Sequence, residues 1–138
     1  MVRKRVQGAI VAARERAQRR RSQTAEAEKA FESFLENIAI PIAKQVVAVL
    51  KAESRAFTVF TPGGGLRIAS DRNRDDYIEL TLDTTSECPQ VIGRVSRTYG
   101  SRTLGEERAV RPDTPPNALT EDDVLTFLVD SLQPWLER

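Results

Sequence analysis

The sequence contains no histidine, one cysteine and only 6% aromatic residues, and these shortages narrow the possible functions. Without histidine the chain lacks the most common general base and the most common metal ligand. Its single thiol, Cys88, cannot form an intrachain disulfide or a cysteine-based zinc cluster. The composition therefore predicts a protein that is not an enzyme, holds no cofactor or metal, and works in a reducing, cytoplasmic setting.

Long hydrophobic runs are also lacking. The most apolar stretch, residues 38–50, is shorter than a membrane span and contains Pro41, Lys44 and Gln45. We therefore expect no membrane partner. No motif indicates a small-molecule substrate.

Positive charge is concentrated at the start of the chain. Residues 1–24 hold eight basic residues and one acid, Glu15, which gives a net charge of +7, whereas the remainder carries −6. This asymmetry predicts a basic helical arm at 1–24 and a single α+β domain at 25–138. An Arg-rich, acid-poor start also fits a removable targeting segment, although this arm is poor in the hydroxyl residues of that class.

Small and apolar residues in the arm recur in alternating steps of four and three. This is the a/d spacing of a helix that buries a narrow stripe against another helix. A break near 22–24 is an alternative, because Ser22 or Thr24 could cap a new helix, and Pro41 predicts an interruption further on. The predicted helix interface, continued through two polar positions, is Val6, Ile10, Ala13, Ala17, Arg20, Thr24 and Ala27.

Beyond residue 56 the periodicity changes from helical to alternating, which indicates strands. Two stretches around Pro62-Gly63-Gly64-Gly65 read as a hairpin, and segments 77–83, 90–99 and 103–110 read as further strands. The predicted fold class is therefore α+β: a long N-terminal helix, an antiparallel meander of four or five strands with one wet face, and a C-terminal helix on the other face.

The C-terminal helix carries a clear start signal. Thr120 and Asp123 have the spacing of a capping box, and Leu119 and Val124 have that of a hydrophobic staple. Its predicted buried stripe is Leu125, Leu128, Leu132 and Trp135. The preceding helical stretch, 42–52, is predicted to bury Ile42, Val46, Val49 and Leu50.

Three local patterns in the body resemble chemical sites but have simpler interpretations. The glycine run lacks the helix that follows a phosphate loop. The segment 71–75 lacks the glycine and the glutamate of a calcium loop, so it reads as a turn. The carboxylates at Asp75, Asp76, Glu79 and Asp83 are explained by ion pairs across strands, with Arg94 and Arg97 close by.

Two functional hypotheses remain. In the first, the protein is an adaptor or accessory subunit of a larger assembly that docks on a protein partner, or self-associates, through its N-terminal helix. In the alternative, the arm binds DNA, RNA or another polyanion without sequence preference, with Arg94, Arg97 and Arg102 extending the track. The predicted polyanion-binding residues are Arg3, Lys4, Arg5, Arg14, Arg16, Arg19, Arg20 and Arg21.

Overall fold

One helical rod of 51 residues, Val2–Ala52, begins the chain in the computed structural model, which describes residues 1–137. It consists of α1 (Val2–Phe34), a π-helical turn (Leu35–Ala39) and α2 (Ile40–Ala52). At 1.5 Å per residue this long helix extends about 77 Å. The predicted N-terminal helix is confirmed, and it is longer than a small domain is wide.

Neither predicted interruption breaks the long helix. The prediction of a break near 22–24 is wrong: α1 runs through this segment, where no glycine or proline opposes it. At Pro41 the helix adapts instead of stopping. The Ile40 backbone N–H donates to the Leu35 carbonyl oxygen in the π-helical turn. Pro41 then lies in the first turn of α2, where a proline is tolerated because a backbone N–H is least needed there.

The predicted antiparallel meander is also confirmed, with five strands that pair in chain order. A short helical turn, Pro62–Gly64, joins the first two strands, and Gly63 and Gly64 adopt positive φ values of 52° and 80°. These angles are the reason for the glycines in this hairpin. The strands are β1 (Phe57–Phe60), β2 (Leu66–Ser70), β3 (Tyr77–Asp83), β4 (Gln90–Tyr99) and β5 (Arg102–Ala109).

The third helix, α3 (Glu121–Leu136), packs on one face of the sheet, as predicted. The Thr120 side chain accepts the Asp123 backbone N–H at 3.2 Å, and the Asp123 carboxylate accepts the Thr120 backbone N–H at 2.9 Å, so the capping box is confirmed. A Cβ atom on Gly93 in β4 would overlap the Phe127 ring. The absence of a side chain at this position lets α3 approach the sheet closely.

The predicted stripes of α2 and α3 are each partly wrong. In α3, Leu125 is 41% exposed, whereas Val124 and Phe127 are buried. In α2, Val49 is 64% exposed, and the buried positions are Ala43, Val47 and Leu50. Both helices have apolar residues around more than half of their circumference, so periodicity alone does not show which part faces the sheet.

The face of the sheet opposite α3 is wet and carries a ladder of alternating charges. Arg67, Glu79, Arg94 and Glu107 are successive register partners across β2, β3, β4 and β5. Arg67 pairs with Glu79, and Arg94 Nη1 lies 3.0 Å from Glu107 Oε1. Ion pairs across the strands therefore account for Glu79 and Arg94, as predicted, although each pairs outward and not with the other. The same explanation is wrong for Asp83, whose Oδ1 accepts the Thr85 hydroxyl at 2.6 Å in a local turn.

Candidate functional site

The N-terminal arm, residues 1–24, projects from the body without burying any of its side chains. Val6 is 52% exposed and Ile10 is 45% exposed, and the first buried residue along α1 is Ala27. From Ala27 onward the same helix contributes Phe31 and Phe34 to the core. The arm is thus a helical extension of a segment that is anchored in the body.

The predicted interface residues divide between the arm and the body. Val6, Ile10, Ala13 and Arg20 are exposed, and Ala17 and Thr24 are partly exposed. Ala27 is buried within the chain itself and so offers no surface to a partner. The stripe available for docking therefore runs from Val6 to Thr24 and is narrow, because alanine supplies two of its apolar positions.

Arginines flank this stripe on both sides. In the heptad frame set by Ile10 and Ala17 at a, the adjoining e and g positions hold Arg14, Arg16 and Arg21. All eight basic residues of the arm are exposed, and within residues 1–137 none of them forms a salt bridge. At about 100° per residue they lie on every side of the helix and not on one face.

The N-terminus of α1 has little local stabilisation. Met1 makes no side-chain capping bond, and the first turn contains no acid. It carries Arg3, Lys4 and Arg5 instead, whose charges oppose the positive end of the helix dipole. Contact with an acidic surface would relieve this unfavourable arrangement.

The arginines proposed to extend a polyanion track do not form one. Side chains alternate across a strand, so Arg94 and Arg97 lie on opposite faces of β4. The loop before β4 lies beside the base of the arm, in a cleft lined by Arg20, Thr24 and Glu87. Since β4 runs from this loop towards the hairpin tip, Arg102 lies at the end of the sheet remote from the arm.

The other polar candidates serve the fold. Segment 71–75 lies in the turn between β2 and β3, as predicted, where Asn73 Oδ1 accepts the Asp75 backbone N–H at 2.9 Å. Asp76 is buried and accepts the Thr98 backbone N–H at 2.6 Å. Cys88 is partly buried in the loop before β4. Among the described residues, no group of three or more side chains is placed to hold a metal.

Sequence reasoning missed an apolar groove between α2 and α3, because it assigned Leu125 and Val49 to the core. The groove has a volume of about 500 Å³ and a mainly apolar lining. Its one obvious signal is the repeat of apolar residues at 125, 129, 132 and 136, which has the spacing of the arm's stripe. The lining residues are Gln45, Val46, Val49, Leu50, Glu53, Arg55, Leu125, Val129, Leu132 and Leu136.

The long helix also passes a membrane-span test by length and composition. An 18-residue window within Val2–Ala52 reaches a mean hydropathy of 1.4, and 39% of that window is buried inside the protein. A core helix of a soluble protein passes the same test, and α2 belongs to the core here. The absence of a membrane partner stays a prediction.

The chain matches no known protein family, no curated protein and no solved structure. Two of its exposed features are the arm, with its apolar stripe flanked by arginines, and the apolar groove between α2 and α3. A function can be inferred from the chemistry of these two surfaces.

Proposed function

We propose that this protein is a non-enzymatic adaptor whose body holds the arm in place and whose arm docks on a helix of a protein partner. The observation that carries this proposal is the exposure of an ordered a/d stripe, with Val6 and Ile10 about half exposed in a helix that the body anchors. A polar helix of this kind is marginal in water without a partner for its stripe.

The partner's chemistry follows from the residues around the stripe. Ala13 and Ala17 allow a facing helix to approach closely, because they add little volume to the seam. Arg14, Arg16 and Arg21 flank the seam, so the favoured partner helix carries acids at its own flanking positions. Pairing of two arms would set these arginines against one another and is disfavoured.

The polyanion alternative is supported by the exposure of all eight basic side chains. Several of them face away from any one duplex lying beside the helix, since they are distributed around its circumference. The arm also has no aromatic side chain on which a base could stack. Docking on protein accounts for the apolar stripe, which phosphate contacts alone do not require.

A pair of matched variants separates the two functions. Ile10 lies in the stripe and Val11 lies outside it, with exposed fractions of 45% and 53%. Ile10→Asp and Val11→Asp each add one acid to the same turn of the arm. The probes are a synthetic heptad peptide with leucine at a and d and glutamate at e and g, a polyglutamate peptide of equal charge, and duplex DNA.

For the adaptor, we expect the full chain to bind the heptad peptide more tightly than polyglutamate or DNA. Ile10→Asp should weaken this binding about tenfold, which corresponds to about 1.4 kcal/mol, while Val11→Asp changes it little. Equal binding of all three probes, with a steep salt dependence and equal effects of the two variants, would overturn the proposal in favour of the polyanion binder.

A further inference from the structure

The groove between α2 and α3 is apolar and open to solvent. Val49 is 64% exposed, and Leu125 and Val129 are each 41% exposed. Exposed apolar residues that are scattered singly need no explanation, whereas these residues line one groove together and so offer a contiguous apolar surface to a partner.

The groove is formed before any partner binds. The Arg55 guanidinium, just beyond α2, donates to the backbone carbonyl oxygens of Trp135 at 2.8 Å and Leu136 at 3.4 Å. These bonds tie the C-terminal end of α3 to the segment that follows α2. Because the walls are held in place, a partner need not pay the entropy of ordering them.

The groove's ridge matches the arm in spacing and length. Leu125, Val129, Leu132 and Leu136 are separated by four, three and four residues, and so are Val6, Ile10, Ala13 and Ala17. Each run of four spans about 16 Å along its helix axis. An arm that lies along α3 can therefore place its side chains against the exposed Leu125, Val129 and Leu136, while Leu132, which is 3% exposed, lies at the floor of the groove.

The charges of the arm and of α3 are opposite in sign. Between Glu121 and Leu136, α3 carries four carboxylates and no basic residue. The groove lining itself holds one acid, Glu53, and one cation, Arg55, whose guanidinium donates to the two carbonyls described above. The arm's net charge of +7 therefore favours its approach to α3, while the apolar side chains of the groove provide the contact.

We infer that the partner of the arm is a second copy of this chain, and that the arm of one copy binds the groove between α2 and α3 of the other. This inference rests on the proposed docking function and specifies the partner. The arm begins the long helix and the groove lies near its end. Two antiparallel copies can therefore exchange arms reciprocally, which gives a closed two-fold dimer and leaves no open end for further growth.

Sedimentation equilibrium of the full chain and four single variants tests this inference. Ile10→Asp alters the arm, and Val129→Lys places a cation in the groove that repels the arginines. Val11→Asp and Thr126→Lys are the matched controls, since both residues are exposed and lie outside the two surfaces. We expect a dimer that Ile10→Asp and Val129→Lys each weaken at least tenfold and that the controls leave within about twofold.

Mixing the two defective variants gives the sharper result. A mixed dimer of Ile10→Asp and Val129→Lys contains one intact arm facing one intact groove, so it should form more tightly than either variant alone. Far-UV circular dichroism and thermal unfolding show whether each variant is folded.

Three outcomes would overturn the inference. They are a chain that stays monomeric at every concentration, a dimer that Val129→Lys leaves unchanged, and a mixture that forms no more dimer than its components. None of these outcomes contradicts the proposed docking function, which is tested separately by binding of the heptad peptide. If the peptide fails to bind, the docking function is contradicted whatever the sedimentation experiment shows.

Discussion

The two parts of α1 have the same apolar spacing but opposite surroundings. Phe31 and Phe34 lie on the stripe that includes Ile10 and Ala17, and both phenylalanines are buried in the hydrophobic core of the body. The arm's stripe continues beyond the edge of the body, where Val6, Ile10 and Ala13 are exposed. The side chains change accordingly from large aromatics to small aliphatics. The comparison shows that a periodic stripe predicts that a helix has a partner but not where the partner is.

The N-terminal ends of α1 and α3 differ in their local stabilisation. The start of α3 has a capping box and three acids in its first turn, Glu121, Asp122 and Asp123. The start of α1 has no cap and no acid. The body therefore stabilises its own helix locally, whereas the arm depends on the rest of the long helix and on whatever it contacts.

The largest expected effect compares two alanine substitutions in one helix. Phe34→Ala removes a side chain that is 3% exposed, and we expect it to lower the free energy of unfolding by about 3–5 kcal/mol. Ile10→Ala removes a side chain from the exposed arm and should change this free energy by about 0.5 kcal/mol or less. Urea unfolding of both variants at a concentration where the chain is monomeric provides the measurement.

Equal losses of stability from these two variants would break the comparison, since they would show that the arm folds back on the body. Ala17→Gly tests whether the arm unfolds together with the body. Glycine destabilises a helix interior by about 1 kcal/mol, but this cost reaches the global transition only if the arm unfolds together with the body.

A smaller effect is expected at the contact between the sheet and α3. Gly93→Ala places a methyl group against the Phe127 ring, and we expect a loss of about 1–3 kcal/mol in unfolding free energy. The double variant Gly93→Ala/Phe127→Leu should recover part of this loss, because the smaller side chain leaves room for the methyl. A control, Gly8→Ala in the arm, meets no neighbouring atom and should raise helix stability slightly.

Much of the fold could be predicted from local sequence signals. The alternation from Tyr77 to Asp83 and from Gln90 to Tyr99 fixes the bounds of β3 and β4, and the glycines after Pro62 fix the hairpin. The faces of α2 and α3 could not be predicted in full. The buried face of α3 depends on Gly93, whose missing side chain admits Phe127, and this is a property of two distant segments together.

The candidate site could be predicted to a lesser extent. The exposed stripe from Val6 to Thr24 is visible in the sequence, although Ala27, at its end, belongs to the body. The groove could not be predicted, because its residues come from two helices far apart in the chain and pattern analysis assigns apolar residues to the core first. The adaptor function itself stays a prediction until the arm variants are measured.

The smallest expected effect concerns pH and the start of α3. The hydrogen bond from the Thr120 backbone holds the pKa of Asp123 below its usual value of 3.8, and Arg111, 3.7 Å from the carboxylate, acts in the same direction. A lowered pKa means that the folded state favours the ionised carboxylate. Its contribution is therefore complete above about pH 4 and is lost as the pH falls through the lowered value. Asp123→Ala should cost about 1 kcal/mol at neutral pH.

The variant should also show a shallower loss of stability in acid than the native chain, as measured by thermal unfolding between neutral pH and pH 2. Asp83 is a necessary comparison, because a hydrogen bond from the Thr85 hydroxyl lowers its pKa as well. If Asp83→Asn reduces the loss of stability in acid as much as Asp123→Ala does, the pH dependence is not specific to the capping box. The arm holds a single carboxyl group, Glu15, so acid should weaken the start of α3 while the arm's positive charges stay in place.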